Sequence, residues 1–316
     1  MLKIGIVGAG AIGESHKNAI MNNPQCSLVA VCDLDVEKAK ILAEGTVANI
    51  YTDYMQMQES ENLDAVILNL PHFLHKDVSV YFLKNKIAVL VEKPMANSVA
   101  ECEEMITAAE ESNVPLGIGH IQKYYKCYTE FRKIVDSGEL GKFCHMTETR
   151  NIDYFTNRPL WFLDKNKSGG GIVMNYAAHT LDKLFYVLDS EIVSVTAVGN
   201  NFYTDDNVEA SAQVLLKFSD GSSASLTYCG CKVPQQYETY FYFTNGVAKI
   251  IANKLYISKN GNDFEEVELI DKQSVFDTQL SEFVKLINGE ESQLVNPNYG
   301  KRIIGVIEKI YSQFDM

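Results

Sequence analysis

The fold class expected from the sequence is α/β: a doubly wound parallel sheet followed by a second, α+β domain whose sheet is mostly antiparallel. Three observations point to it. The first third of the chain alternates short apolar runs with polar-faced helical segments. A glycine pattern, Gly8-x-Gly10-x-x-Gly13, directly follows the first of those runs. The second half then runs from strand-like segment to strand-like segment with turn signals but no helix between them. A length of 316 residues exceeds the usual single domain, and the change of pattern places the division at 1–120 and 121–316.

The strands expected at 3–8, 28–33, 65–70, 87–91 and 116–119 are the short apolar runs that a parallel sheet buries on both faces. Segments 36–44, 75–84 and 99–112 between them are long enough for crossover helices. Beyond 120, a helix over 131–137 closes at Gly138 and a strand follows over 143–151. The stretch GGGIVMNYAAHTLD, 169–182, sets three glycines before a helix that carries Asn175 and His179 at i and i+4. Strands over 193–199, 210–218, 223–228, 237–244 and 248–251 complete the chain's second sheet. Asp220-Gly221, Asn245-Gly246 and Asn260-Gly261 mark turns. Along 237–243, Thr239, Phe241 and Phe243 face one side and Tyr240 and Tyr242 the other. Aromatics on both faces call for cover on both, so helices on one side and a second subunit on the other are expected, giving a homodimer or homotetramer.

Lys and Arg number 28 against 41 Asp and Glu, a net charge of −13, which excludes nucleic acid and anionic membrane surfaces as partners. An acidic whole can still hold a local basic pocket, so anionic small molecules stay open. There is no apolar run of about 18 residues, and the chain passes from Met1 straight into a strand. The seven cysteines are scattered, which suggests free thiols and a cytoplasmic location. Strand alternation explains the close pair Cys229 and Cys231 better than a metal does.

The three glycines of the fingerprint serve different ends. Gly8 permits a tight turn, Gly10 the close approach of a pyrophosphate, and Gly13 the packing of helix on strand. Ala11 and Ile12 complete the loop that offers backbone N–H groups at the helix mouth. Asp33 ends the second strand 20 residues after Gly13, where a carboxylate accepts hydrogen bonds from an adenosine ribose. It would repel a 2′-phosphate, and Leu34 and Asp35 follow it rather than Arg. NAD is therefore expected over NADP.

VEKPMANS, 91–98, ends the strand at 87–91, and ligands of doubly wound sheets bind at such carboxyl ends. Glu92 and Lys93 there form either a structural ion pair or a site in which the lysine polarises a substrate oxygen.

Taken together, the glycine fingerprint, Glu92-Lys93-Pro94, and Gly169-Gly170-Gly171 leading to His179 and Asp182 resemble the Gfo/Idh/MocA family (glucose–fructose oxidoreductase, inositol dehydrogenase, rhizopine catabolism). Pro71 and His75, DSGELGKF at 136–143 and Trp161 extend the resemblance over nearly the whole chain. It implies an N-terminal Rossmann domain, a large open C-terminal sheet that often builds oligomers, and NAD(P)-dependent oxidation or reduction at a sugar or cyclitol carbon. It also implies an unusual, cis peptide in the Pro94 region. His179 becomes the acid/base and Lys93 the group beside it that stabilises the reacting oxygen; without the motif, a histidine on a half-apolar helix would be assigned to the core. The three glycines are then expected to bring a helix N-terminus up to a cofactor–substrate cleft between the domains.

The cofactor set expected on this basis adds Leu70, Pro71, His75, Glu92, Lys93 and Trp161 to the fingerprint and Asp33. His75 stands open between cofactor contact and a helix cap, and Trp161 between the nicotinamide end and the domain interface. His72-x-x-His75 is too thin for a metal site, and hydride transfer needs none. His16, His120 and His145 have no distinguishing context. Many relatives carry Asp where this chain has Asn175 and Gly where it has Ala177. An amide offers an acceptor and two donors but no charge, so Asn175 orients substrate without raising the basicity of its neighbours. Two rivals remain from the sequence: a catalytically silent dinucleotide-binding regulator, and a dihydrodiol or imine reductase.

Overall fold

The computed structural model describes every residue except 189, 204, 271–272, 293–295 and 315–316. The chain forms two compact units, Met1–Ile121 with Gln273–Ile304, and Gln122–Lys272 with Gly305–Met316.

The first unit opens β1(Leu2–Val7), α1(Gly13–Asn22), β2(Cys26–Cys32), α2(Val36–Ala43), β3(Asn49–Tyr51), α3(Tyr54–Ser60) and β4(Ala65–Leu68). It continues α4(His75–Lys84), β5(Ala88–Glu92), α5(Val99–Ser112) and β6(Leu116–Gly119). The six strands pair in parallel in the order β3-β2-β1-β4-β5-β6. The order reverses between β1 and β4, which puts the glycine loop after β1 at the switch point. Ile4, Ile6, Leu28, Val31, Ile67 and Leu90 are all but inaccessible, which is why these strands read as continuous apolar runs. Asp35 caps α2 by accepting from Glu37 and Lys38 N–H, and Ser98 caps α5 by accepting from Glu101 N–H.

The second unit contains α6(Lys126–Asp136), β7(Phe143–Asn151), α7(Lys165–Ser168), α8(Ile172–Val187), β8(Ile192–Asn200), β9(Ser211–Phe218) and β10(Ser223–Cys229). β11(Gln236–Phe243), β12(Gly246–Ile251), β13(Lys254–Lys259) and β14(Glu265–Glu266) follow. Its eight strands run β14-β13-β12-β11-β7-β10-β9-β8, antiparallel except for the parallel pair β7 and β10. The alternation expected in 237–243 holds: Thr239, Phe241 and Phe243 are buried, while Tyr240 and Tyr242 are half-exposed on the other face.

Two helices close the chain, α9(Val275–Ile287) and α10(Pro297–Tyr311). Here the structure differs from a single division at residue 120. α9 returns to the first unit, where Leu280, Phe283 and Val284 join the core and Phe276 meets the His16 ring edge-on at 5.1 Å. The physical reason is that the α1 side of the parallel sheet would otherwise be left with uncovered apolar surface.

α8 is fixed to its sheet by a buried polar set. Glu148 on β7 accepts from Lys183 Nζ and from the hydroxyls of Thr180 and Thr239, and Lys183 also donates to Tyr237 Oη at 2.7 Å. Glu148 and Lys183 are sealed from solvent. Burial pulls the ammonium pKa down, but the Glu148 charge and hydrogen bonds outweigh it and hold Lys183 protonated. An ion pair at such depth contributes little net stability but fixes one register of helix on sheet. That register determines where Asn175 and His179 project.

Candidate active-site elements in each unit

In the first unit, the loop between β1 and α1 leaves Gly8 with φ +97, and a Cβ there would collide with the Asn69 carbonyl. Gly13 packs under Leu42, whose Cδ2 lies 3.0 Å from where a Cβ would stand. Around Gly10 a Cβ would meet no heavy atom within 4 Å, and Gly10 and Ala11 are exposed, with Ile12 half-buried at the helix mouth. Space and unshielded N–H groups at a helix N-terminus are what a pyrophosphate requires. Asp33 stands half-buried beside this loop, its Oδ2 accepting Ala9 N–H at 2.7 Å and its Oδ1 accepting Asp35 N–H at 2.8 Å. Each carboxylate oxygen keeps a further lone pair for a ribose hydroxyl. These residues fit a dinucleotide.

At the end of β5 the Lys93–Pro94 peptide is cis, as the resemblance implied. Glu92 is joined to α1: its Oε1 lies 2.9 Å from His16 Nε2, and its Oε2 accepts Lys93 N–H at 3.1 Å. Burial pushes the Glu92 carboxyl up, but the His16 hydrogen bond and the His16 and Lys93 charges bring it below the usual 4.5. His16 gave no signal in the sequence, yet it ties α1 to the Glu-Lys-Pro turn. Its place one turn after Gly13, on the buried face of α1, is the trace it leaves.

The side chain of His75 does not cap α4, contrary to one of the two expectations for it. It is wholly buried, with Nε2 2.8 Å from Leu70 O and Nδ1 2.8 Å from Pro94 O. Both ring nitrogens face backbone carbonyls, and the neutral ring, donating to one of them, lies between the loop after β4, which holds Leu70 and Pro71, and the turn that holds Lys93. Burial keeps its pKa below 6.5 against the opposing pull of those carbonyls. Lys93 itself is half-buried.

In the second unit the three glycines have a different reason from the expected one. Glu209, 1% exposed, lies across the N-terminus of α8. Its Oε2 accepts Gly171 N–H and its Oε1 accepts Val173 N–H, both at 2.8 Å, while Tyr311 donates to Oε1 at 2.9 Å. Tyr311 Oη also accepts Met174 N–H at 3.0 Å. A Cβ on Gly170 would overlap the Tyr311 hydroxyl, and one on Gly171 the Glu209 backbone. The helix mouth is thus filled by protein, and the expectation that it meets cofactor or substrate is corrected. Burial raises the Glu209 pKa above the usual 4.5, and the hydrogen bonds from Gly171, Val173 and Tyr311 restrain that rise.

One turn into α8, Asn175 is 7% exposed, and His179 is half-exposed at the next turn. His179 Nδ1 lies 3.3 Å from Gln122 Nε2, and the buried Asp182 accepts Gln122 N–H through Oδ2 at 2.9 Å. His-x-x-Asp on one helix face therefore grips a single residue from the start of this unit, backbone and side chain together. Gln122 was missed because a lone Gln far away in sequence carries no pattern. Trp161 stacks on Phe162 with ring centroids 3.8 Å apart.

Residues 2–120 match the family described as "Oxidoreductase family, NAD-binding Rossmann fold", and residues 128–249 match the "GFO/IDH/MocA C-terminal domain". The chain belongs to the Gfo/Idh/MocA oxidoreductase family. A curated relative from Comamonas testosteroni, named 1-carboxy-3-chloro-3,4-dihydroxycyclo hexa-1,5-diene dehydrogenase, is 27% identical over 72% of this chain and 58% of its own length. Inositol 2-dehydrogenase of Salmonella typhimurium is 33% identical over 45% of this chain and 43% of its own. The chain thus spans less than two thirds of the length of either. Among solved structures, the aldose-aldose oxidoreductase of Caulobacter crescentus superposes with a TM-score of 0.90 at 23% identity, covering 99% of this chain and 97% of that one. The Gfo/Idh/MocA architecture, a parallel Rossmann sheet followed by a large, mostly antiparallel one, is the one expected from the sequence. Among the described residues, no helix is long and apolar enough to cross a membrane.

Proposed function

We propose that this Gfo/Idh/MocA protein transfers hydride between a nicotinamide dinucleotide, NAD in preference to NADP, and a carbon of a sugar, cyclitol or sugar derivative. The observation that carries the reading is His179, half-exposed on a helix locked to its sheet, with its ring oriented through Nδ1 by Gln122. A glutamine can turn either end of its amide to a ring nitrogen. As the amide stands its Nε2 donates to Nδ1; turned so that Oε1 accepts Nδ1–H, it leaves the lone pair on Nε2, the tautomer of a base.

In this role His179 takes the substrate hydroxyl proton at Nε2. Lys93 donates a hydrogen bond to the same oxygen and stabilises the negative charge developing on it. Asn175 orients a neighbouring hydroxyl through its acceptor and donors. The N–H groups between Gly8 and Gly13 take the pyrophosphate, and Asp33 takes the ribose hydroxyls. When bound, the dinucleotide supplies C4 of its nicotinamide as hydride acceptor or donor. The names of the relatives support the substrate class, since inositol is a cyclitol and the Comamonas testosteroni protein is named for a dihydroxylated ring. The half-exposed Tyr240 and Tyr242, with His145 stacked on Tyr242 at 4.3 Å, support self-association through the outer sheet face, which light scattering would read.

A screen of polyols, sugars and nucleotide sugars, following NADH absorbance, tests the activity. A dinucleotide that binds while no substrate is turned over would favour the silent regulator. With a substrate in hand, Lys93→Ala and His179→Ala should each lower kcat/KM by at least about 10²-fold while NADH still binds. Turnover near the wild-type rate in either variant removes the mechanism. Gln122→Leu removes the ring's Nδ1 partner without adding charge. It should lower kcat by about tenfold with KM for NAD little changed, since misorienting a catalytic group acts on the chemical step.

A further inference from the structure

We propose that the substrate carries an oxyanion, a carboxylate or phosphoryl group, and that Arg150 and Arg158 hold it on the His179 side of α8. The inference rests on the reading of His179 above and deepens it to a substrate class.

Both guanidinium groups gather on one tyrosine. Arg150 Cζ, on β7, stands 4.0 Å over the Tyr176 ring and 4.2 Å over the Tyr237 ring. Arg158 Cζ stands 4.0 Å over the Tyr154 ring, and its Nη2 donates to Tyr176 Oη at 2.8 Å. Tyr176 lies three residues before His179 on α8, with ring centroids 6.3 Å apart. The ring on which both arginines gather is thus one helical turn from the His179 ring.

Neither arginine is paired with an acid among the described residues, whereas Arg132 pairs with Asp136 at 2.8 Å. The three buried carboxylates of this region have other duties: Glu148 takes Lys183, Thr180 and Thr239, Glu209 takes Gly171, Val173 and Tyr311, and Asp182 takes Gln122 N–H. Stacking on aromatic rings occupies the faces of a guanidinium and leaves its in-plane N–H donors for a planar oxyanion. Arg158 Nε is such a donor, buried and with no acceptor among the described residues. Leaving a buried charged donor unmatched is unfavourable, and an incoming oxyanion would match it. Two half-buried cations held against one tyrosine ring, at 4.0 and 5.9 Å from its centre, are favoured by a nearby anion. In a chain of net charge −13, an anionic substrate needs a local cation pair of this kind.

The test is calorimetric binding to the full chain saturated with NADH, using matched compounds: glucuronate and glucose, galacturonate and galactose, glucose 6-phosphate and glucose. At least one acid should bind about tenfold or more tightly than its neutral partner, and the arm that does so tells carboxylate from phosphoryl. Arg150→Gln and Arg158→Gln should each reduce that ratio about tenfold, with partial recovery in the lysine variants. A purely structural stacking role would lower the unfolding temperature and leave the ratio where it was. A ratio near one across the panel, an absence of binding throughout, or a preference that survives both variants overturns the proposal. The wild-type ratio decides even where a variant fails to fold. NADH formation, followed in parallel, separates the two readings. Acid preference without turnover leaves this inference standing and removes the oxidoreductase mechanism, while turnover of neutral sugars without acid preference does the reverse.

Discussion

Each unit places glycines in front of a helix, and the two helix mouths end up opposite in kind. At α1 Gly10 and Ala11 are exposed, the space next to Gly10 is open, and the acid nearby, Asp33, accepts one N–H of the loop, that of Ala9. At α8 Gly170 and Gly171 are buried, and an acid from a distant segment, Glu209, together with Tyr311 from the last helix, lies across the N-terminal N–H groups. Helix N-termini attract anions in both cases. The first mouth is left for an anion that comes from outside, whereas the second has the anion built in. Glycines before a helix announce that something must come close to the backbone; they do not say whether it is a ligand or the protein itself.

The strongest way to break this comparison is to add the same methyl group to each mouth. Gly171→Ala sets a Cβ against the Glu209 backbone and should destabilise the second unit by about 4 kcal/mol or more, because neither backbone can yield. Gly10→Ala meets open space and should change stability by no more than about 1 kcal/mol, while weakening NADH binding where the pyrophosphate approaches. Urea unfolding and NADH titration of both variants read the contrast. Equal stability losses would mean that the two mouths are alike after all.

The legible and illegible parts divide along similar lines. Parallel strands such as Ala65–Leu68 and Ala88–Glu92 show as apolar runs because both their faces are buried. The turns at Asp220-Gly221 and Asn260-Gly261 show because Gly221, Asn260 and Gly261 take positive φ there. The return of α9 to the first unit does not show, since amphipathicity says that a helix must be covered but not by which sheet. The site divides in the same way. Gly8, Gly10, Gly13 and Asp33 are close in sequence and fall into a fixed spacing. Gln122 with His179, His16 with Glu92, and Glu209 with Gly171 are partners separated by 57, 76 and 38 residues. Glu148 left one faint trace, a charge at an inward position of a strand that otherwise alternates.

A smaller effect sharpens the comparison through Glu209. Glu209→Ala leaves two backbone N–H groups and a tyrosine hydroxyl in a buried place without an acceptor, a loss of about 3 kcal/mol. Glu209→Gln keeps an acceptor and should lose less. The pH dependence has a definite sign. A carboxyl whose folded pKa is raised binds protons more readily in the folded protein, so its contribution is fully present below 4.5 and lost as pH rises through the folded value. The wild type should therefore show a negative slope of stability against pH above 4.5 that is missing from Glu209→Gln. An identical slope in the two proteins would show that Glu209 does not titrate as its burial requires.

The smallest expected effect probes the open mouth. Asp33→Ala removes a carboxylate that accepts Ala9 N–H from the loop and, in the function proposed above, has a second duty, to take the ribose hydroxyls. If the first duty dominates, the loop loosens and NADH and NADPH weaken together. If the second does, NADH should weaken by about tenfold, near 1.4 kcal/mol. NADPH should then weaken less or tighten, because its 2′-phosphate no longer meets a negative charge. Titrating both dinucleotides against one variant separates the two duties, and a ratio equal to that of the wild type would assign Asp33 to the loop alone. The acid at α1 would then be doing what Glu209 does at α8, and the contrast between the two mouths would rest on Gly10 and its neighbouring N–H groups only.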